Sequence, residues 1–152
     1  MVKQKSGLNK KLSEIDWSSV SADLNARGYA HISNIFPSAL CDGLIGKYDD
    51  SKCFRKTVVM ARHRFGLGEY KYFDYPLPEE IQAIRKLVYP KLAPVTNNWM
   101  DKLRIDKKFP SSFSDLLDLC HAKGQTKATP LILKYGKGGH NTLHQDLYGE
   151  VY

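Results

Sequence analysis

The motif LHQDLYGE near the C-terminus contains a histidine and an aspartate at a spacing that suits metal binding. His144 and Asp146 lie two residues apart, and alternate side chains of an extended chain point in the same direction. An imidazole and a carboxylate directed at one point can together hold a divalent metal ion. An ordinary exposed pair of polar residues has the same spacing, so the motif alone leaves both interpretations open.

The residues before this motif predict a strand, a turn and a second extended segment. The apolar run TPLILKY ends at Tyr135, and the GKGGHN that follows has the glycines of a turn. The same glycines and lysines could cradle an anion, but they lack the GxxxxGK[ST] pattern of a P-loop, which favours a plain turn. TLHQDLY then continues as extended chain. Tyr135 and His144 therefore lie on the two arms of a strand–turn–strand unit.

Four segments together resemble the iron(II)- and 2-oxoglutarate-dependent oxygenases of the prolyl-hydroxylase-like branch. They are GYAHISNIFPSALCDGLIGKYD, YKYFDYPLPEEIQAIRKLVYPKLAPVTNNW, GQTKATPLILKYG and NTLHQDLYGE. Within that branch the chain is similar, from about Ile15 onward, to a bacterial family predicted to act on damaged nucleic acid. The resemblance implies a double-stranded β-helix (jelly roll) and a dioxygenase that performs C–H hydroxylation or oxidative demethylation.

The resemblance also implies a role for three residues. His144 and Asp146 would be the first two ligands of an Fe²⁺ ion held by two histidines and one carboxylate. Tyr135 would contact the carboxylate of the cosubstrate 2-oxoglutarate, and ascorbate is an expected accessory reductant. A strand tyrosine such as Tyr135 also fits a place in the core or at its rim.

The family's distal histidine and its 2-oxoglutarate-binding arginine lie tens of residues after the HxD motif, and no histidine follows His144. We therefore expect residues 15–152 to be the N-terminal part of one oxygenase domain, a fragment that lacks the distal part of the barrel and is inactive alone. The alternative is a non-catalytic, basic module that binds nucleic acid or another partner.

The other histidines do not match the missing ligand. His31, in a predicted strand, His63, in a basic hairpin, and His121, at a helix end, are expected to be structural or solvated. His140 and His144 have the spacing of a helical zinc pair, but glycines immediately before His140 argue against a helix there.

Composition and charge indicate what kind of protein this is and what kind of partner it binds. The 152 residues have the length of one domain, and the net charge of +7 favours an anionic partner such as nucleic acid. Residues 1–14 look like a flexible basic tail without the apolar run of a secretory signal. We expect no membrane span. The cysteines, Cys41, Cys53 and Cys120, lack CxxC spacing, which favours small buried thiols in a cytoplasmic protein.

The hydrophobic pattern predicts an α+β protein, with helices first and the jelly roll only begun at residues 130–152. Helices are predicted from Asp16 to Gly28, from Pro37 to Tyr48, across PLPEEIQAIRKLVYPKLAPVTNNWMDKL and from Ser112 to Gly124. Prolines 90 and 94 are expected to kink or split the third of these helices. Strands are predicted at YAHISNIF, at two runs between Thr57 and Phe73, and at TPLILKY.

A basic and aromatic segment, FRKTVVMARHRFGLGEYKYFDY, allows two interpretations. Cations for phosphates and ring faces for bases are the chemistry of single-strand binding or base capture. A β-hairpin with one buried and one solvated face has the same composition, and this structural interpretation is favoured. The residues concerned are Arg55, Lys56, Arg62, Arg64 and Lys71, interleaved with Phe54, Phe65, Tyr70, Tyr72, Phe73 and Tyr75.

Overall fold

The computed structural model describes the backbone of residues 2–144 and the side chains of residues 7–144. Its helices are α1 (Val2–Ser13), α2 (Trp17–Arg27), α3 (Ser38–Gly46), α4 (Glu79–Lys102) and α5 (Phe113–Ala122). Its strands are β1 (Phe54–Val59), β2 (Gly66–Leu67), β3 (Glu69–Phe73), β4 (Leu131–Lys134) and β5 (His140–Asn141), with short 3₁₀ turns at Ser51–Cys53 and Met60–His63. The mixture of helices with small antiparallel sheets confirms the α+β class.

Within the tail predicted at residues 1–14, residues 2–13 form α1. Leu8 and Leu12 are only 4% and 5% exposed, and α1 packs against α4. The indole Nε1–H of Trp17 donates to the carbonyl of Leu12 at 3.2 Å. Leucines four residues apart lie on one helix face, so this short apolar stripe binds the basic helix to the rest of the fold.

The predicted limits of α2 are confirmed and have local causes. The carboxylate of Asp16 accepts hydrogen bonds from the backbone N–H groups of Ser18 and Ser19 at 3.0 and 3.1 Å. Hydrogen bonds from the Ser18 side chain and from these backbone groups hold the pKa of Asp16 below its ordinary value. At the other end Gly28 adopts φ 78°, the left-handed conformation that ends many helices.

The strand predicted at residues 29–36 does not form. Tyr29 and Phe36, at its two ends, are exposed, and Asn34 has a left-handed φ of 59° that breaks the extended chain. An alternating pattern becomes a strand only where another strand lies alongside it, and the residues that the structure describes offer none here. The helix predicted after it is confirmed as α3, although Tyr48 lies beyond its end.

The sheets form from strands far apart in the sequence. β1, β3 and β4 form an antiparallel sheet in the order β1–β3–β4, and β2 pairs with β5 in a second, two-stranded sheet. The predicted β runs between Thr57 and Phe73 and the predicted strand at TPLILKY are therefore confirmed. These two sheets do not establish a jelly roll.

The start of α4 packs against one face of the larger sheet through Ile81. Phe73, 1% exposed, forms a core with Leu77 and Ala128, and Phe54, Ile81 and Ile132 are among the residues packed around it. α5 begins as predicted, with the Ser112 hydroxyl accepting from the N–H of Asp115 at 3.1 Å.

Of the two expected effects of Pro90 and Pro94, a kink or a split, the split does not occur, since α4 runs unbroken through both prolines. Each proline removes one hydrogen bond to the carbonyl four residues earlier. Both prolines and Lys86 are exposed, so water can reach the carbonyls of Lys86 and Pro90. Among the described residues no helix has the length and apolar character needed to cross a membrane.

Candidate functional site

Tyr135 lies beside a glycine that makes room for its ring. The pairing of Glu69 with Lys134 in the β3–β4 ladder brings Gly68 next to Tyr135, one residue further along. A Cβ atom at Gly68 would lie 2.8 Å from Cδ1 of Tyr135, and one at Gly139 would lie 2.9 Å from its Cβ. The two glycines therefore let the chain approach Tyr135 closely, and the Tyr135 side chain remains 43% exposed.

Tyr135 belongs to an open apolar face of the larger sheet. Tyr70 pairs with Leu133 and Tyr72 with Leu131, and residues directly opposite in an antiparallel ladder share a face. Leu131, Leu133 and Tyr135, at alternate positions, are all partly exposed. The sheet therefore presents aromatic and aliphatic side chains on the side where Tyr135 stands.

The opposite face of this sheet is packed and hydrogen-bonded. The Lys71 ammonium donates to the carbonyl of Tyr48 at 2.8 Å and lies over the Tyr48 ring. The Tyr48 hydroxyl donates to the carboxylate of Glu69 at 2.8 Å, and burial, followed by this contact with Glu69, raises the pKa of Tyr48. These contacts fix the strand that carries the open face.

The second sheet brings the chain near residue 140 against the turn that follows β1. Gly66 pairs with Asn141 and Leu67 with His140, and the N–H of Thr142 donates to the carbonyl of Phe65 at 2.9 Å. This pairing was missed in the sequence because the strands have only two residues each. The signal that could have indicated it is Gly66, which lies directly against the backbone of His140 and Asn141.

His144 lies three residues after the end of strand β5. It is exposed, and its Nδ1 lies 2.7 Å from the carbonyl oxygen of Thr142. A carbonyl can only accept, so Nδ1 carries the proton and the lone pair of the neutral imidazole is on Nε2. In metal-binding histidines, a hydrogen bond of this kind from the nitrogen that does not bind the metal fixes the tautomer. The imidazole of His144 therefore fits a metal ligand that binds through Nε2.

The remaining predicted ligand, Asp146, lies outside the described residues. Within residues 7–144 no group of three or more His, Cys, Asp or Glu side chains is arranged to hold a metal ion. His144 is thus the one predicted ligand whose surroundings are described. The assignments of His144, Asp146 and Tyr135 to metal and cosubstrate stay predictions.

Other histidines and the cysteines show no sign of a separate site in the described part of the chain. His31 and His121 are exposed, and His63 stacks on Phe65 with 5.3 Å between ring centroids. His140 lies in strand β5, which agrees with the argument against a helical zinc pair of His140 and His144. The three cysteines are unpaired, but Cys41 is exposed and only Cys120 is buried.

The basic and aromatic segment divides into two parts. In the strands Lys56 is exposed, but Arg55 is structural, since it donates from Nε to the carbonyl of Ala128 at 3.0 Å and lies over the Tyr72 ring. Lys71 is bonded to Tyr48. In the turn between β1 and β2, residues 61–65 are all exposed. The hairpin interpretation therefore describes the strands, and the turn remains available for binding.

Residues 68–152, more than half of the chain, match the sequence model of an oxygenase family described as catalysing oxidative methylation of damaged DNA. The chain belongs to this oxygenase family. The family match begins at Gly68 and includes Tyr135, His144 and Asp146. It excludes α1 to α3 and the exposed turn at residues 61–65.

This chain is similar to two uncharacterised proteins of Mycobacterium tuberculosis, one from strain CDC 1551 / Oshkosh and one from strain ATCC 25618 / H37Rv. Each is 48% identical over 102 residues, which are 64% of this chain and 44% of the relative. The chain thus covers less than half the length of these curated relatives. No solved structure matches it.

Proposed function

We propose that this chain carries the first metal ligands and part of the 2-oxoglutarate site of an iron(II)-dependent oxygenase that acts on damaged DNA. The observation that carries the proposal is the His144 imidazole, whose Nδ1–H is bonded to the Thr142 carbonyl at 2.7 Å inside the region matched by the oxygenase family. The reaction would be C–H hydroxylation or oxidative demethylation of a damaged base.

His144 and Asp146 would hold the Fe²⁺ ion, and a third ligand would come from residues beyond those described. A facial set of two histidines and one carboxylate leaves positions open for cosubstrate and oxygen. Bound iron would use oxygen and 2-oxoglutarate to oxidise a C–H bond, and ascorbate would keep the metal reduced. The protein's own contribution is to hold the His144 ring in one tautomer and direction.

Tyr135 would contact a carboxylate of 2-oxoglutarate through its phenol. Gly68 and Gly139 leave space beside Tyr135, and its side chain is 43% exposed, so the hydroxyl is accessible to a cosubstrate. Leu131 and Leu133 on the same face would keep water away from the reacting groups, since enzymes of this type need a dry, shaped site.

We also propose that the two small sheets begin a jelly roll, whose later strands cover the open face of β3 and β4. Partly exposed Leu131, Leu133 and Tyr135 are apolar surface of the kind that proteins normally bury. The relatives, of which the matched residues form 44%, have the length needed for such strands.

A second candidate function follows from the small number of ligands within the described residues. The chain would then be a basic, non-catalytic module that binds nucleic acid, supported by the net charge of +7 and the exposed turn after β1. It predicts binding to DNA without any dependence on metal or 2-oxoglutarate.

The decisive assay follows succinate formed from 2-oxoglutarate, with Fe²⁺, ascorbate and a methylated single-stranded oligonucleotide. It compares this chain with a longer polypeptide that has the length of the relatives. We expect turnover by the longer polypeptide only, abolished by His144→Ala and retained by His140→Ala. No turnover by a metal-loaded longer polypeptide, or turnover that survives His144→Ala, would refute the proposal and favour the binding module.

A further inference from the structure

The turn after β1 exposes five consecutive side chains: Ala61, Arg62, His63, Arg64 and Phe65. We call residues 61–65 the Arg–Phe loop. Among the described residues neither Arg62 nor Arg64 forms an ion pair or a side-chain hydrogen bond. By contrast, Arg55 in the adjoining strand is bonded to a backbone carbonyl. Two cations of the loop thus remain available to an anionic partner.

The loop is closed at its base. Met60, only 1% exposed, anchors its start, and the N–H of Met60 donates to the carbonyl of Gly68 at 3.0 Å. The N–H of Phe65 donates back to the carbonyl of Met60 at 3.1 Å. Arg64 has a left-handed φ of 59°, a conformation that is uncommon for residues other than glycine. The loop therefore has one defined backbone shape.

The loop presents a stacked pair of rings at the surface. The imidazole of His63 and the ring of Phe65 lie 5.3 Å apart at an interplanar angle of 24°, and Phe65 is 44% exposed. A single exposed Phe needs no explanation. A ring stacked on another and flanked by two arginines, however, is the combination by which proteins bind single-stranded nucleic acid.

The loop is joined to the segment that carries the predicted metal ligand. The carbonyl of Phe65 accepts from the N–H of Thr142, and His144 follows two residues later. Leu143 lies in a bend and not in the extended segment predicted there, so the two residues from Thr142 to His144 span at most about 7 Å. A nucleotide held on the loop would have its neighbour close to His144.

We propose that the Arg–Phe loop binds single-stranded DNA. Phe65, backed by His63, would stack on a base next to the one at the metal, and Arg62 and Arg64 would contact the flanking phosphates. The inference rests on the proposed function for the identity of the substrate, but DNA binding by the loop requires neither metal nor cosubstrate. The two proposals can therefore fail separately.

The test measures binding of the 152-residue chain to a fluorescein-labelled single strand by anisotropy at several salt concentrations. The plot of log K against log[salt] falls by about 0.7 per phosphate contact for single strands. We therefore expect Arg62→Ala/Arg64→Ala to reduce that slope by about 1.4. The charge-matched control is Lys86→Ala/Lys91→Ala, on the exposed side of α4, which should leave the slope unchanged.

A second pair of variants isolates stacking from charge. Phe65→Leu keeps an apolar side chain but removes the ring face, and we expect it to weaken single-strand binding roughly tenfold. Tyr29→Leu, at an exposed aromatic residue outside the loop, is its control and should have no effect. A duplex of the same sequence should bind more weakly and be indifferent to Phe65→Leu.

Equal salt slopes in the arginine and lysine double variants would overturn the proposal, as would unchanged affinity in Phe65→Leu. Metal binding is measured in the same samples to separate the two proposals. Loop variants that lose DNA and keep metal support the inference. If the loop binds DNA but the metal-loaded longer polypeptide shows no turnover, the oxygenase proposal fails and the loop proposal stands.

Discussion

Gly66 lies so close to His140 that a Cβ atom at Gly66 would be 2.1 Å from the His140 carbonyl oxygen. Gly66 also has φ 126°, where other residues are strained. We expect Gly66→Ala to push β5 away from β2, lowering the free energy of unfolding by about 1–3 kcal/mol. It should also weaken metal binding, because Thr142 and His144 follow β5. Urea unfolding and metal titration measure the two effects.

Gly43→Ala is the matched control for this substitution. Gly43 lies within α3, where a Cβ atom would meet nothing within 4 Å. Alanine there should raise the free energy of unfolding by about 0.5–1 kcal/mol, since glycine is unfavourable inside a helix. Equal effects of the two substitutions would show that the close approach of β2 and β5 does not occur.

Removing the Tyr135 hydroxyl tests the predicted cosubstrate contact. In the longer polypeptide, Tyr135→Phe should raise the KM for 2-oxoglutarate about 10- to 100-fold, as expected for a lost hydrogen bond to a charged group. Thermal stability should hardly change, because the ring still fills the space beside Gly68. An unchanged KM would show that Tyr135 does not contact the cosubstrate and would favour the alternative role of a residue at the rim of the core.

The start of α2 should give the stability of the chain a measurable pH dependence. The folded pKa of Asp16 lies below its ordinary value of 3.8 because Ser18 and Ser19 hydrogen-bond its carboxylate. This stabilisation is fully present above about pH 4 and is lost as the pH falls through the lower folded pKa. Asp16→Ala should lower Tm at pH 7 and reduce the loss of Tm below pH 4.

Asp16→Asn separates the hydrogen bonds from the charge. Asparagine accepts the same backbone N–H groups at a helix start but does not titrate. Its Tm at pH 7 should stay near that of the parent, with the same reduced acid dependence as Asp16→Ala. An acid dependence identical in all three proteins would rule out a contribution from this cap.

Sequence predicted those features whose causes are local. Asp16 and Gly28 delimit α2, and Ser112 begins α5, because a capping side chain or a left-handed glycine acts within a few residues. Tyr135 and His144 were identified through motifs that resemble a family, and the family match of residues 68–152 includes both.

Features that depend on distant partners could not be read in the same way. Residues 29–36 have the alternation of a strand but no neighbouring strand among the described residues. β2 and β5 have no pattern of their own, yet their pairing joins Phe65 to Thr142. Leu8 and Leu12 of α1 are buried on account of α4, far along the sequence. These three features depend on tertiary contacts, and a local sequence pattern carries no information about them.

The most direct test of the central claim is the affinity of the chain for Fe²⁺, measured by anaerobic calorimetric titration. His140→Ala is the matched control, because His140 is also exposed and its Nδ1 lies 3.2 Å from a carbonyl two residues earlier. We expect weak binding by this chain, reduced more than about tenfold by His144→Ala or Asp146→Ala and unchanged by His140→Ala. Equal affinities in the His144→Ala and His140→Ala variants would contradict the assignment of His144 as a metal ligand.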